Sequence, residues 1–371
     1  MVVALADRCT TALPPPVLKP LDPVDLTLAL MRIDSTSGRE GEVVQFVQAM
    51  LESRGWTVRR VPVSEGRDNI FAAIGDGPLV TLSTHLDTVP PFLPPRLEGK
   101  RIWGRGACDA KGIAAAMICA AERVVARGVP VGLLFVVGEE TTHDGAHAAN
   151  SWPTTSLALI NGEPTESTLA VGTKGALRLL VRAQGVAAHS AYPHLGRSAI
   201  DTLLDVLHDL RGLELPSDPV LGDTTLNIGV IAGGVADNVV AAEAHARVMI
   251  RLVSSADDVL ARVRERARER VEIREVVRVP QTRLATIEGF PTSVVAYATD
   301  VPALSAWGTP YLFGPGSINV AHRDDEHVET AELHAAIDAY ERLALAALER
   351  VVGDGTPVAR DPSHARRPYR A

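Results

Sequence analysis

Cysteine is scarce in this chain of 371 residues, and the three cysteines include no CxxC pair. Cys9, Cys108 and Cys119 therefore predict no cysteine zinc site, and their odd number indicates reduced thiols in a cytosolic protein. No run of about 18 residues is free of charges and turn breakers, so we predict no transmembrane helix. The N-terminus lacks a basic region and a proper apolar stretch, so we predict no signal peptide and a cytoplasmic location.

Several catalytic and nucleotide-binding motifs are also missing. The phosphate-binding motif GxxxxGK[ST] does not occur, and Asp109 takes the place of the third glycine that a dinucleotide-binding GxGxxG would need. The absence of HExxH and GxSxG excludes the helix-borne metalloprotease site and the serine nucleophile elbow. The formal net charge of -8 argues against a nucleic-acid or membrane partner and fits small-molecule chemistry.

The first half of the chain alternates between helical and strand-like patterns. Residues 23–55 are predicted to be mostly helical with a break near 33–38, and Asp22 and Ser37 are predicted to cap the two helices. Strand-like runs at 69–74, 79–84 and 132–137, with an Ala-rich helix at 111–126, indicate an α/β fold whose sheet carries helices on both faces.

The pattern changes after Thr173. The order is strand, helix, two strands, helix and a last strand, which resembles a small α+β sandwich inserted in a larger domain. The predicted bounds are 176–184, 197–212, 225–232, 239–252, 256–270 and 271–279. A final helix is predicted at 331–352, an extended lead-in at 14–20 and a disordered tail after Gly353.

Imidazole and carboxyl groups follow the apolar runs. The candidates are His85 with Asp87, Asp109, the pair Glu139 and Glu140, Glu163, and His322 with His327 nearby. Each has an ordinary alternative: a hydrogen-bonded strand end, a helix N-cap, a solvated strand end or a polar loop. Together they lie where open α/β sheets place their sites, and a set of His, Asp and Glu without Cys suits zinc, cobalt or manganese in a hydrolytic centre.

Five motifs carry a family resemblance: HLDTVP, GRGACDAKG, GEE, GEPT and a late GPGS followed by AH. In order and spacing they resemble the di-zinc family of acetylornithine deacetylase, succinyl-diaminopimelate desuccinylase, carboxypeptidase G and aminoacylase, the twentieth metallopeptidase family. The resemblance implies a catalytic α/β domain with a central mixed sheet flanked by helices, interrupted by a smaller α+β lid or dimerisation domain. The implied bounds are 1–173 and 286–352 for the catalytic domain, 174–285 for the lid and 353–371 for the tail.

The resemblance also implies roles for the candidate residues. His85 and Glu163 would hold one divalent cation, Glu140 and His322 the other, and Asp109 would bridge them. Glu139 would be the general base, and Asp87 would support His85. Zinc is the expected metal, with cobalt as the alternative, and His327 is the alternative to His322.

In the lid, the resemblance implies a homodimer in which His189 reaches the neighbouring subunit's active site and stabilises the oxyanion, with His194 as the alternative. Asn238 and Arg251 resemble the family's contacts to the substrate carboxylate; a solvated strand charge is the ordinary alternative for Arg251.

Three substrate classes compete within the family. The segment from Tyr297 to Pro302 lacks the Gly-Gly-Thr-Ser-Asp run of desuccinylases, which favours removal of an acyl group from an N-acyl amino acid in arginine or lysine biosynthesis. Desuccinylation and cleavage of dipeptides or carboxyl-terminal residues are the alternatives. Outside this chemistry, a non-catalytic binding protein is disfavoured by the presence of Glu139, and a two-metal phosphoesterase by the lid and the GEE pair.

Overall fold

A computed structural model describes residues 19–75 and 77–353 of the chain. The predictions for residues 14–18, for Cys9 and for the tail beyond Gly353 lie outside these ranges. Within them, the α-helices are α1 (Pro23–Met31), α2 (Gly41–Ser53), α3 (Lys111–Ala126), α4 (Asp144–Asn150), α5 (Ala199–Arg211), α6 (Ala256–Ala267) and α7 (Thr330–Gly353).

The strands fall into two groups along the chain. Those before residue 174 are β1 (Thr57–Ser64), β2 (Arg67–Ile74), β3 (Val80–His85), β4 (Arg96–Glu98), β5 (Arg101–Trp103), β6 (Val131–Val136), β7 (Ala158–Asn161) and β8 (Leu169–Thr173). Those that follow are β9 (Gly175–Gln184), β10 (Ser217–Asp218), β11 (Gly222–Asp223), β12 (Thr225–Gly233), β13 (Glu243–Leu252), β14 (Glu272–Val279), β15 (Thr282–Arg283), β16 (Thr292–Val295), β17 (Thr309–Leu312) and β18 (His327–Glu329).

The central sheet has the strand order β1-β2-β6-β3-β7-β17. The strands β6, β3, β7 and β17 are parallel, whereas β1 and β2 pair antiparallel at one side. Every residue of β3 and β6 is buried, as expected for parallel strands covered on both faces. The prediction of a mixed sheet flanked by helices is confirmed, and its site-bearing edge lies at the carboxyl ends of β3, β6 and β7.

Helix α3 is the central helix of the catalytic core. It has the predicted bounds, and its many alanines allow close packing against the sheet and against α1 and α7. Asp22 caps α1 as predicted, because its carboxylate accepts the N–H groups of Val24 and Asp25.

The predicted cap of α2 is wrong. That helix follows Glu40 without a side-chain cap, and the Ser37 hydroxyl instead donates to the buried Asp87 carboxylate at 2.7 Å. A hydrogen bond to a charged acceptor is stronger than one to a neutral group, so Ser37 serves the site edge rather than the helix.

A second sheet, β12-β13-β9-β14, forms in the segment predicted to be inserted. One face packs against α5 and α6 in a separate apolar core, and the order of elements is as predicted. The bounds differ, since β13 begins at Glu243 rather than at residue 239 and α6 ends at Ala267. Strand β12 lies at the edge of this sheet and is largely exposed.

The chain passes between the two sheets through neighbouring strands. Strand β8 leads into β9, and β14 leads back into β15, with Thr173 paired to Thr282. At Gly175 a Cβ atom would lie 2.4 Å from the Val279 carbonyl oxygen, so this passage accepts no side chain. In residues 19–75 and 77–353, no helix is both long and apolar enough to cross a membrane.

Candidate active site

His85 ends the central strand β3 and is almost fully buried. Its Nδ1 atom lies 2.9 Å from the Asp87 carbonyl oxygen, and its Nε2 atom lies 3.1 Å from Asp109 Oδ1. One ring nitrogen is thus held by the backbone while the other faces a carboxylate. This is how a metal-binding histidine is usually oriented.

The Asp87 carboxylate supports two parts of the site. Its Oδ1 lies 3.6 Å from His85 Nδ1, and it accepts the backbone N–H groups of Glu139 at 3.1 Å and Glu140 at 3.2 Å. Because those two glutamates follow strand β6, Asp87 joins the ends of two neighbouring strands. Its position therefore fixes the acidic turn as well as the imidazole.

Asp109 lies between the two candidate metal-binding histidines. His322 Nε2 lies 3.1 Å from Asp109 Oδ2 and 3.0 Å from Glu140 Oε1. Potential ligand atoms of His85, Asp109 and Glu140 all lie within 4.8 Å of one another. The two oxygens of Asp109 thus face two different imidazoles, as a bridging carboxylate requires.

His327 takes a different position from His322. Its ring packs against Trp103 at 4.5 Å between centroids, and its Nδ1 lies 2.7 Å from the Asp325 carbonyl oxygen. The backbone at His322 has a φ of 65°, a left-handed conformation that is uncommon outside glycine. Of the two histidines, His322 is the one that the structure brings to Asp109.

The carboxyl groups of this cluster lie close together, and His85 and His322 face two of them, Asp109 and Glu140. Burial, followed by the charge of Glu163, raises the pKa of Glu139 well above its usual range. Burial also raises the pKa of Glu163 and of Glu140, with Asp109 contributing to both. Although burial opposes it, hydrogen bonds from His322 and His85 hold the pKa of Asp109 low. Buried carboxylates at this density need cations.

The donor set fits divalent metal ions. It comprises two imidazoles and three carboxylates without a thiolate, which are the ligands of hydrolytic zinc, cobalt and manganese centres. Glu163, which follows β7, is buried and lines the same cavity as Asp109, Glu140 and His322.

Glu139 has a neighbouring pair that the sequence did not reveal. His143 Nδ1 lies 3.8 Å from Glu139 Oε1 and 2.9 Å from Asp300 Oδ1. Asp300 is buried and precedes the short 3-10 helix at Val301–Trp307. Because these residues come from two distant segments, only the fold brings them beside the predicted general base.

Glu326 joins the loop of His322 to the loop of Asp109. One carboxylate oxygen accepts the N–H of Gly106 at 2.9 Å, with longer contacts to the N–H groups of Cys108 and Asp109, both at 3.4 Å. The other oxygen accepts Arg105 Nη1 at 2.6 Å. Both charged side chains are buried, so this ion pair is part of the framework of the site.

A cavity of about 180 Å³ extends from this cluster to the second sheet. Arg251, predicted to contact substrate, lines it, and so does Arg178, which the sequence analysis did not identify. The structure does not bring Asn238 or His189 to this cavity of the same chain. The backbone carbonyl oxygen of Asn238 accepts the Ser190 N–H, and His189 Nδ1 accepts the Ala191 N–H. His194 lies in the neighbouring 3-10 turn at Pro193–Leu195.

Comparison with known proteins places the chain among metallopeptidases. Residues 81–346 match the model of peptidase family M20/M25/M40. A peptidase M20 domain-containing protein of Schizosaccharomyces pombe is 42% identical, over 87% of this chain and 84% of its own. A protein of Aspergillus clavatus described as a probable carboxypeptidase is 40% identical, over 86% and 81%.

Solved structures share the fold at low sequence identity. A tripeptidase from Staphylococcus aureus superimposes with a TM-score of 0.74 at 20% identity, over 88% of this chain and 98% of the other. A dinuclear metal-binding M20 peptidase of Bacillus subtilis, the YxeP protein, gives 0.67 at 15% identity, over 88% and 98%. These likenesses confirm the two-part α/β fold, and the chain belongs to peptidase family M20/M25/M40.

Proposed function

We propose that this protein is a dinuclear metallohydrolase that cleaves the carboxyl-terminal amide bond of a dipeptide or short peptide. The observation that carries the proposal is the position of Asp109, whose two oxygens face His85 and His322. Glu139, whose side chain is 11% exposed, lines the same cavity, and so does Arg251. Metal ligands, a base and a carboxylate-binding group are the parts that such a hydrolysis needs.

The metal assignment is part of this proposal. His85 and Glu163 would hold one divalent cation, Glu140 and His322 would hold the other, and Asp109 would be shared between them, with zinc preferred to cobalt. When bound, such a pair of ions lowers the pKa of a water molecule and polarises the amide carbonyl.

Glu139 is the proposed general base. It is largely buried, its pKa is raised, and its backbone is held by Asp87. A carboxylate whose pKa is raised can take a proton from the attacking water and return it to the leaving amine. His143 lies on one side of the carboxylate and restricts its orientation.

Arg251 is the proposed site for the free carboxylate of the substrate. It lies on β13, and its guanidinium can donate two parallel hydrogen bonds to one carboxylate. A carboxylate held there would direct the adjacent amide toward the metal ligands. The enzyme would then select the last peptide bond of its substrate.

The relatives favour a peptide over an N-acyl amino acid. The Aspergillus protein is described as a probable carboxypeptidase, whereas the case for deacylation came from the segment Tyr297–Pro302. In the structure, Tyr297 donates to the Pro164 carbonyl at 3.0 Å and Asp300 binds His143. These contacts hold the segment in place, and Tyr297 and Ala298 line the cavity, where any substrate of either class would pass, so the segment does not decide between them. N-acyl amino acids stay a second candidate because they share the amide and the free carboxylate.

An assay of the zinc- or cobalt-loaded protein tests this function. Dipeptides would be compared with N-acetylornithine, N-acetyl-lysine and N-succinyl-diaminopimelate, with release of the free amino acid as the readout. We expect turnover of dipeptides to exceed that of the acyl compounds. Preferred cleavage of an N-acetyl compound would establish the deacylase alternative, and no hydrolysis of any compound would favour a non-catalytic binding protein.

The inserted segment is proposed to be a lid and dimerisation domain spanning residues 174–285, between catalytic segments 1–173 and 286–352. The edge strand β12 is largely exposed, with Ile231 more than half accessible, and exposed strand edges are common pairing surfaces. In the proposed homodimer, His189 and Asn238 serve the cavity of the neighbouring subunit.

A further inference from the structure

The part of the cavity lining that comes from the second sheet carries two guanidinium groups. Arg251 is paired with Ala176 across β13 and β9, and Met249 is paired with Arg178. The arginines are therefore diagonal neighbours on one face of this sheet, and all four residues line the cavity. Diagonal neighbours in an antiparallel pair lie about 7–8 Å apart at the backbone, within reach of one small ligand.

Neither arginine has an acidic partner. Within residues 19–75 and 77–353, Arg178 and Arg251 form no hydrogen bond or ion pair, whereas Arg278 on β14 binds Glu275 and Asp257. Burial, and after it the charge of Arg178, lowers the pKa of Arg251. Two like charges side by side destabilise a sheet. A ligand with two negative charges would relieve this repulsion.

The surroundings of Arg178 are apolar on both sides. Met249 faces it from β13, and Val277 faces it from β14. These side chains can contact the methylene groups of a ligand, and Arg178 itself is exposed to solvent. This part of the lining thus combines two cations with a short apolar surface between the strands.

We propose that Arg178 is a specificity-determining residue that binds the side-chain carboxylate of a substrate whose carboxyl-terminal residue is acidic. This inference rests on the proposed function, in which Arg251 binds the main-chain carboxylate of the same residue. The chemical class of substrate is therefore a peptide, or an N-acyl amino acid, that ends in glutamate or aspartate.

The arrangement indicates that the recognised acidic side chain belongs to the residue after the cleaved bond and not to the group before it. The two carboxylates of one glutamate are separated by a few bonds, which matches two arginines that are diagonal neighbours. An acid on the acyl side would be separated from the main-chain carboxylate by the amide itself.

The test compares alanyl-glutamate with alanyl-glutamine, which differ in charge and hardly in shape. For the metal-loaded wild type we expect kcat/KM to be at least about tenfold higher for alanyl-glutamate. Arg178→Met should abolish this preference, because it should lower kcat/KM for alanyl-glutamate far more than for alanyl-glutamine. The control is Arg182→Met, an exposed arginine four residues further along β9 that lies outside the cavity, and it should keep the preference.

Equal rates for the two peptides in the wild type would overturn the inference, as would an equal loss for both in Arg178→Met. A preference for N-succinyl-alanine over N-acetyl-alanine that depends on Arg178 would also overturn it, because the acid would then lie on the acyl side.

Failure of the proposed function gives a different result: the metal-loaded protein hydrolyses no peptide or N-acyl amino acid. Calorimetry with free glutamate and glutamine then tests Arg178 without catalysis. Tighter binding of glutamate that Arg178→Met removes would support the acid-binding role, and equal binding would overturn it.

Discussion

Among single residues, Glu139 differs from the neighbouring carboxylates in its contacts. Asp109 and Glu140 each lie about one hydrogen-bond length from an imidazole of the proposed ligand set, at 3.1 Å and 3.0 Å. The nearest basic atom recorded for Glu139 is His143 Nδ1 at 3.8 Å. This difference fits the proposed roles, in which Glu139 carries a proton and Glu140 binds metal.

We therefore expect Glu139→Gln to keep its metal and lose its activity. Removing a general base typically costs about 100- to 10,000-fold in rate, and the amide preserves the shape of the side chain. The measurements are kcat with a dipeptide and metal content by elemental analysis. The exposed Glu288 provides the control, since Glu288→Gln should change neither quantity. High activity in Glu139→Gln would refute the role of the base.

The two histidines near the end of the chain make a second comparison. His322→Ala should lose one of two bound metal ions, whereas His327→Ala should keep both, because only His322 contacts Asp109 and Glu140. The loss of affinity should exceed the roughly 10- to 100-fold typical of an outer partner. Metal titration against a competing chelator measures it. If His322→Ala kept its full metal content and His327→Ala lost metal, His327 would be the ligand instead of His322.

For single residues, the sequence could predict a place in the site only where a local motif marks the residue. The residues His85, Asp109 and Glu140 follow strands or loops with recognisable neighbours, and the structure brings them together. Arg178 was missed because it is an ordinary strand residue until the register with β13 places it beside Arg251. Glu326 was missed because the N–H groups that it accepts lie more than 200 positions away.

At the scale of elements, Glu326 holds two loops in register through Arg105. Breaking a buried ion pair from one side costs about 3–5 kcal/mol. We expect Glu326→Gln to lower the free energy of unfolding by an amount near this range and to weaken metal binding about 10- to 100-fold. Chemical denaturation and chelator competition measure the two effects.

Glu329 provides the matched control for that variant. It lies three residues further on and pairs with Arg101, but both side chains are more than a third exposed. Exposed pairs contribute about 0–1 kcal/mol, so Glu329→Gln should change stability little and metal affinity not at all. Equal effects of the two variants would show that Glu326 has no special connection to the site.

Lys111 connects α3 to the end of α1. Its amino group donates to the carbonyl oxygens of Leu30 at 3.1 Å and Ile33 at 2.7 Å. Burial lowers its pKa from 10.5 to about 8. Between these values the unfolded chain binds more protons than the folded one, so this residue makes the free energy of unfolding rise with pH.

The stability of Lys111→Met should therefore change relative to the wild type as the pH is raised. From about pH 7.5 to about pH 10, the wild type should gain about 2 kcal/mol over this variant, measured by urea denaturation. The exposed Lys100 is the control, since Lys100→Met should keep a constant difference. A constant difference for Lys111→Met as well would show that the amino group stays charged throughout.

The order of strands and helices along the chain could be predicted, but the pairing of the strands in the sheet could not. Residues 176–279 follow the predicted succession of strands and helices, because each strand alternates apolar and polar residues and each helix has one apolar face. The strand order β12-β13-β9-β14 could not be predicted, since it depends on contacts between distant segments. The Ser37 cap failed for the same reason: its competing partner, Asp87, lies 50 residues away.

For the whole molecule, the proposed dimer predicts that two inactive variants complement each other. If His189 acts on the neighbouring subunit, a heterodimer of His189→Ala and Glu139→Gln contains one cavity with both defects and one with neither. Co-expression with two different tags isolates this heterodimer, which should have about half of the wild-type turnover. Its mass should be twice the 39.4 kDa of one chain.

Homodimers of either variant serve as the controls and should be nearly inactive. An inactive heterodimer would show that His189 serves its own chain, and an active His189→Ala homodimer would show that it serves neither cavity. A monomeric wild type in light scattering would refute the dimer itself.

The passage at Thr173 and Thr282 has a consequence for how such a protein diversifies. The two ends of the inserted segment are paired side by side, and an insertion with adjacent ends leaves the path of its host chain intact. Arg178 and Arg251 lie inside the insertion, whereas the proposed metal ligands and base lie outside it. The part that recognises the substrate can therefore be replaced in evolution, or exchanged between relatives by an engineer, while the part that breaks the bond is inherited unchanged.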